Sequence, residues 1–253
     1  MRARSAARTA LRALGMESPA LAVRRRFLPG HVRRDIRDHE LLVALLEREL
    51  EPASDCLDAG AHEGSVLAEL VRLAPAGRHL AWEPLPEQAR RLRERFPGVE
   101  VREAALSDRP GERDFAHVVD NPGWSGLRAR PVPGGGRVQT LRVRCERLDD
   151  AVPSGAEPAL LKVDVEGAEL ELLEGARATL RRHRPLVVFE HGRGSADHYG
   201  TTPQRIHGLL AGELGYSIEG LDGDGPYDAR DLAAQFESGE RVNFVARPGP
   251  LRA

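Results

Sequence analysis

The segment "ALLKVDVEGAELELLEG" (residues 159–175) decides the fold, because it reads as a buried strand joined to a helix by a charged turn. Lys162, Asp164 and Glu166 alternate with apolar residues, so their side chains lie on one face of the strand. Lys162 is the only lysine in the chain, and the other 36 of the 37 basic residues are arginines. An unpaired carboxylate inside an apolar run is costly, so we predict that Lys162 neutralises Asp164.

A simpler explanation of these acids is that they favour the N-terminus of the following helix. That explanation accounts for Glu166 and Glu169, but Asp164 still lies inside the apolar run. We therefore predict that Lys162, Asp164 and Glu166 belong to an active site.

Strand and helix patterns alternate on both sides of this segment, which predicts a parallel sheet with right-handed crossovers. The predicted strands are 55–60, 79–84, 99–106, 159–166, 186–191, 216–221 and 241–248. The predicted helices are 35–50, 65–74, 86–96, 168–183 and 202–214. The expected organisation is a basic, partly ordered leader (1–34) followed by one domain (35–253).

Residues 107–158 interrupt the alternation and form a predicted insertion. Two strand-like segments, "GERDFAHVV" and "VQTLRVRCERL", flank the turn-rich "DNPGWSGLRARPVPGGG" (120–136). A loop of this length in a compact domain is typical of a lid or a binding loop.

Composition excludes several classes of protein. With 41% hydrophobic residues, 30% charged residues and a net charge of −2, the chain reads as a soluble globular protein with no overall affinity for nucleic acid. The arginines at 24–26 are followed by charged residues instead of an apolar stretch, which argues against export, and no segment is long enough to span a membrane. Two cysteines are too few for a disulfide scaffold, so we expect a cytoplasmic protein. A basic amphipathic arm within 1–34 stays an alternative to the plain leader.

The turn "DAGAHEG" (58–64) after the first strand indicates a cofactor site. Gly60 allows close approach of the backbone to a ligand, and Gly64 opens a helix whose amides favour negative charge. The turn lacks the G-x-G-x-x-G spacing of dinucleotide sites. Asp58 suits a cationic ammonium, whereas it would repel a pyrophosphate.

The next two strand ends extend this site. Glu83 is placed to accept hydrogen bonds from both hydroxyls of a ribose, and Ser107 or Asp108 could meet an adenine amino group. A ligand with an ammonium and a ribose but no pyrophosphate fits S-adenosylmethionine better than NAD.

The strand "LVVFEH" (186–191) brings Glu190 and His191 beside Asp164 across the predicted sheet. Histidine titrates near neutral pH, so we predict His191 as the base for a substrate hydroxyl.

The chain resembles the FkbM-type S-adenosylmethionine-dependent methyltransferases. The resemblance runs from about 56 to 248 and rests on "CLDAGAHEG", "AWEPLP", "EAALSD", "LLKVDVEGAELELLEGA", "VVFEH" and "VNFVARP". His62 departs from the asparagine that the family usually carries, so its part in cofactor contact is open. The segment "NPGWSGL" (121–127), with Asn121, Trp124 and Ser125, is loosely similar to the family's substrate loop.

The resemblance implies a Rossmann-like class I methyltransferase fold, with a seven-stranded, mostly parallel sheet, an antiparallel last strand and helices on both faces. It implies O-methylation of a small-molecule, natural-product or sugar hydroxyl. It also assigns cofactor contacts to Asp58, Gly60, Glu83 and Asp108, and an active site to Asp164, Glu166, Glu190 and His191.

Three alternatives stay open. A divalent cation held by Asp164 and Glu190 could assist the transfer. The chain could instead be a catalytically silent cofactor-binding module that supports a partner. An NAD-dependent oxidoreductase is disfavoured by the missing glycine spacing. No nucleic-acid partner is expected, and a homodimer is compatible with the sequence.

Overall fold

The computed structural model describes residues 29–132 and 134–249, so the predicted leader lies outside the described residues as far as residue 28. The chain divides into two compact units, Met1–Val43 and Ala44–Ala253. Helix α1 (Gly30–Glu49) begins five residues before the predicted helix and crosses from the first unit into the second. Everything that follows concerns the second unit.

A seven-stranded sheet forms the centre of this unit within the described ranges. Its strands are β1 (Asp55–Ala59), β2 (His79–Trp82), β3 (Glu100–Arg102), β7 (Pro158–Val163), β8 (Leu186–Glu190), β9 (Tyr216–Gly220) and β10 (Asn243–Pro248). They lie in the order β3-β2-β1-β7-β8-β10-β9. Strand β10 runs antiparallel to β8 and β9, whereas the neighbouring pairs from β3 to β8 are parallel. This topology confirms the predicted fold class.

Helices pack around the sheet and bury its apolar side chains. They are α2 (Ser65–Leu73), α3 (Pro86–Arg95), α4 (Leu148–Ala151), α5 (Glu169–Glu174), α6 (Arg177–His183), α7 (Pro203–His207, continued by a π-helical segment, Gly208–Glu213) and α8 (Ala229–Ser238). Leu57, Leu161, Val187 and Phe244 are fully or almost fully buried in the main core. Their burial explains why these strands read as continuous apolar runs.

Three predicted elements differ from those observed. The strand predicted at 99–106 is two short strands in different sheets, β3 and β4 (Ala105–Leu106). The helix predicted at 168–183 is interrupted at Gly175, where a Cβ atom would lie 2.2 Å from the carbonyl oxygen of Ser107. Helix α8 lies between the last two strands of the sequence, where no helix was predicted, and a capping box at Asp228 begins it.

The insertion forms a second, three-stranded sheet in the order β4-β6-β5, with β5 at Gly111–Val118 and β6 at Val138–Glu146. The turn-rich segment between β5 and β6 contains a 3-10 turn at Pro122–Trp124. An isolated bridge between Ala116 and Gly126 joins this segment back to β5. Across the described ranges, no helix combines the length and the apolar character needed to cross a membrane.

Candidate functional site

A cavity lies at the carboxyl ends of β1, β2 and β7, where the sheet order places the ends of neighbouring parallel strands. Its lining brings together the turn after β1, the end of β2, the segment before and within β4, the loop after β5 and the turn after β7. The polar lining residues include His62, Ser65, Glu83, Ser125, Lys162, Asp164 and Glu166.

The turn after β1 is held tightly against the turn after β7. Gly60 has φ +78°, and a Cβ atom there would lie 1.8 Å from the carbonyl oxygen of Asp164. Only glycine fits this contact, which is with the neighbouring turn, whereas the sequence predicted a close approach to a ligand. His62 is also left-handed, with φ +49°, a conformation in which histidine is among the better tolerated residues.

Glu83 is buried at the end of β2, with 4% of its surface exposed. Its carboxylate accepts hydrogen bonds from the backbone amides of His62 and Leu85, both at 2.9 Å. Burial raises the pKa of Glu83, and these two amides oppose the rise. The carboxylate is thereby fixed at the cavity, and its remaining lone pairs can accept further hydrogen bonds.

The ammonium of Lys162 contacts three groups at the cavity. Its Nζ donates to the carbonyl oxygen of Gly60 at 2.8 Å and lies 3.3 Å from Asp58 and 3.4 Å from Asp164. Burial alone would lower the pKa of Lys162, but the charges of Asp164 and Asp58 outweigh burial and raise it. Lys162 is therefore a cation, and it pairs with Asp164 as the sequence suggested.

Asp58 is completely buried and does not line the cavity. Burial raises its pKa, and the charge of Lys162 opposes the rise. Within the described residues, neither carboxylate oxygen of Asp58 has an aligned hydrogen bond. Its observed partner is Lys162, so the structure does not support direct capture of a ligand ammonium by Asp58.

Three further carboxyl groups surround Asp164. Burial, and then the charge of Asp164, raise the pKa of Glu166 to about 8, although Arg130 opposes the rise. Burial raises the pKa of Glu169 to about 7, and burial followed by the charge of Asp164 raises that of Glu190 well above its ordinary value. Burial and mutual repulsion therefore disfavour full ionisation of this cluster of carboxyl groups.

The loop after β5 supplies one wall of the cavity through Pro122, Gly123, Ser125 and Leu127. Ser125 is buried, and its hydroxyl accepts a hydrogen bond from the amide of Val118 at 3.0 Å. Asn121 and Trp124 belong to the same turn but lie outside the lining.

Two predicted contacts lie away from the cavity. Ser107 and Asp108 follow the lining residues of β4 and belong instead to a network with Arg113 and Glu171. His191 is fully buried and stacks on Phe236 with ring centroids 4.8 Å apart. Burial lowers its pKa to about 4, and neither ring nitrogen has a partner within the described ranges. This placement does not favour His191 as the base.

Sequence reasoning missed Arg130, whose guanidinium pairs with Glu166. In the sequence, Arg130 is one of many arginines and lies within a long loop, so no pattern marked it as a site residue. In the described part of the chain, no group of three or more histidine, cysteine or acidic side chains is arranged to hold a metal ion.

Comparison with known proteins identifies relatives of the chain. The family profile described as "Methyltransferase FkbM domain" matches residues 58–218. The 2-O-methyltransferase NoeI of Sinorhizobium fredii is 32% identical over 166 residues, which are 59% of this chain and 67% of that protein. The AMB antimetabolite synthetase AmbE of Pseudomonas aeruginosa is 29% identical over 251 residues, covering 81% of this chain and 12% of that protein.

Solved structures are also among the matches to this chain. The crystal structure of methyltransferase FkbM from Methylobacillus flagellatus KT matches with a TM-score of 0.49 and 18% identity. The match covers 78% of this chain and 44% of that one.

Proposed function

The chain belongs to the FkbM methyltransferase family, and we propose that it transfers the methyl group of S-adenosylmethionine to a hydroxyl group of a small molecule, natural product or sugar. The observation that carries this proposal is the cavity, in which a cofactor turn, a buried acid and a cluster of carboxyl groups meet at the strand ends. The name of NoeI supports an oxygen atom as the acceptor.

The cavity residues fit S-adenosylmethionine. Gly60 lets the backbone approach a ligand, and the first amides of α2 favour a carboxylate. Glu83 is a buried acceptor suited to ribose hydroxyls, whereas a pyrophosphate would meet Glu83 and Asp164 as like charges. Asp164, which lines the cavity, suits a cationic ligand.

When bound, S-adenosylmethionine supplies an electrophilic methyl group on a sulfonium centre. The chain's own contribution is to align the acceptor hydroxyl and exclude water, which supplies most of the rate in such a transfer. The loop after β5 and the turn after β7 both line the cavity and would together hold the acceptor.

Asp164 is the carboxylate best placed to take the proton of the acceptor. It lines the cavity, its side chain is 40% exposed, and the ammonium of Lys162 lies 3.4 Å from its carboxylate. Asp164 therefore replaces His191 in the proposed mechanism.

The test is transfer of an isotopically labelled methyl group from S-adenosylmethionine to a panel of sugars and alcohols, followed by mass spectrometry. Transfer to oxygen that persists after exhaustive chelation supports the proposal and excludes the divalent-cation alternative. Cofactor binding without transfer to any member of the panel would favour the silent cofactor-binding module. Binding of NAD in place of S-adenosylmethionine would overturn the proposal.

A further inference from the structure

We propose that Arg130 is a positioning residue that latches one wall of the cavity closed. The wall consists of residues 121–127, which we call the loop wall. Arg130 itself lies outside the cavity lining, so it acts through the residues that it holds. This inference rests on the proposed function only in the arm of the test below that measures binding of S-adenosylhomocysteine.

The side chain of Arg130 is drawn inward from an exposed stretch of loop. Only 6% of the side chain is exposed, whereas the preceding Ala129 is exposed. An arginine on a surface loop ordinarily extends its charged end into water. The inward orientation of Arg130 therefore requires specific contacts.

Three contacts hold the guanidinium. One is the ion pair with the carboxylate of Glu166, and the second is a hydrogen bond from Nη1 to the carbonyl oxygen of Gly194 at 3.1 Å. The third is a cation–π contact, in which the guanidinium carbon lies 4.4 Å from the centre of the Trp124 ring. The remaining donor, Nε, is buried with no partner within the described residues.

Each contact lies on a different segment of the site. Trp124 belongs to the loop wall, between the lining residues Gly123 and Ser125, and Glu166 lies in the opposite wall after β7. Gly194 belongs to the turn after β8. The guanidinium thus joins the two walls that would hold the acceptor, and it anchors both to a third segment.

The residue type suits this role. A planar guanidinium can stack on an indole ring and pair with a carboxylate at the same time, whereas an ammonium is a point charge without a stacking face. The backbone bridge between Ala116 and Gly126, with hydrogen bonds of 2.8 and 3.1 Å, already anchors the loop wall to β5. The hydrogen bond from the Val118 amide to the Ser125 hydroxyl is a second anchor to β5. Arg130 instead holds the ring of Trp124, so its loss frees the part of the wall around that side chain.

The first arm of the test uses the ligand-free protein and compares Arg130→Ala, Arg130→Lys and Arg137→Ala. Arg137 lies on the same loop with an exposed side chain, so its replacement is a charge-matched control. Hydrogen exchange of the loop-wall amides should accelerate about tenfold in Arg130→Ala, with a smaller change in Arg130→Lys and none in Arg137→Ala. Amides of β1 should exchange at the wild-type rate in all three variants.

Tryptophan fluorescence provides a second measurement of whether the loop wall is held in place. The chain has two tryptophans, and Trp82 is buried in β2, so the difference from a Trp124→Phe protein isolates Trp124. The Trp124 emission should shift to longer wavelength in Arg130→Ala. If Arg130→Ala fails to fold, Trp124→Leu removes the same contact from its other side and should accelerate exchange of the loop wall equally.

The second arm measures dissociation of S-adenosylhomocysteine by stopped flow. Dissociation should be about tenfold faster from Arg130→Ala than from the wild type or Arg137→Ala. Unchanged exchange of the loop wall, or exchange accelerated equally throughout the sheet, would overturn the latch. If the wild type binds no S-adenosylhomocysteine, the proposed function fails, and the first arm still decides the latch.

Discussion

Replacing Lys162 with methionine should destabilise the fold more than any other single change beneath the cavity. The side chains are similar in length, so the change chiefly removes the ammonium. Asp58 is completely buried, and Lys162 is the cation beside it, 3.3 Å away. Removing one partner of a buried ion pair leaves the other charge uncompensated, which costs about 3–5 kcal/mol.

We expect the free energy of unfolding of Lys162→Met to fall by about that amount, measured by urea denaturation at pH 7. A second variant with Asp58→Asn added should recover most of the loss, because the buried charge is then absent as well. The affinity for S-adenosylhomocysteine is to be measured under conditions in which the variant is folded. The change in binding free energy should be smaller than the change in the free energy of unfolding.

A loss below about 1 kcal/mol would refute this reasoning, since it would mean that Asp58 is protonated or otherwise compensated in the folded protein. Failure of Asp58→Asn to recover stability would contradict it too, because the penalty would then lie in packing and not in charge.

Three further predictions concern the same end of the sheet. Gly60→Ala should lower the free energy of unfolding by about 2 kcal/mol or more and abolish tight cofactor binding, because the new Cβ would overlap the carbonyl oxygen of Asp164. An unchanged free energy of unfolding in urea denaturation would contradict this prediction. Asp164→Asn should slow methyl transfer by about 10²–10⁴-fold while changing calorimetric affinity for S-adenosylhomocysteine only a few-fold, and full activity would remove Asp164 as the proton acceptor. The folded-state pKa of His191 is lowered to about 4, so this group destabilises the fold as pH falls below about 6.5. His191→Leu should therefore remove about 2–3 kcal/mol of the stability loss between pH 7 and pH 4.5, and identical pH slopes in the two proteins would show that folding does not lower the pKa of His191.

A parallel sheet could be predicted from the sequence pattern, because continuous apolar runs and short turns mark parallel strands buried on both faces. The antiparallel last strand followed only from the family resemblance, and the order of the strands was not predicted. The pairing of Lys162 with Asp164 followed from strand periodicity. The break in the helix after Glu174 did not follow, because it depends on close packing of Gly175 against the distant Ser107.

The candidate site was predictable only where residues lie on the sheet itself. Gly60, Glu83 and Asp164 meet in the cavity because parallel strands end at one edge. His191 lies one residue beyond β8, where its ring turns onto Phe236, and no local pattern encodes that contact. Arg130 reaches the site through a loop whose path depends on tertiary contacts, so its role could not be predicted from spacing.

The central claim is that this cavity binds S-adenosylmethionine through the turn after β1 and the carboxylate of Glu83. Isothermal titration calorimetry of the wild type and of Glu83→Gln, with S-adenosylmethionine and with NAD, tests the claim most directly. We predict one bound S-adenosylmethionine per chain, affinity weakened about tenfold or more in Glu83→Gln, and no binding of NAD. Equal affinity in the two proteins, or saturable binding of NAD by the wild type, would contradict the account.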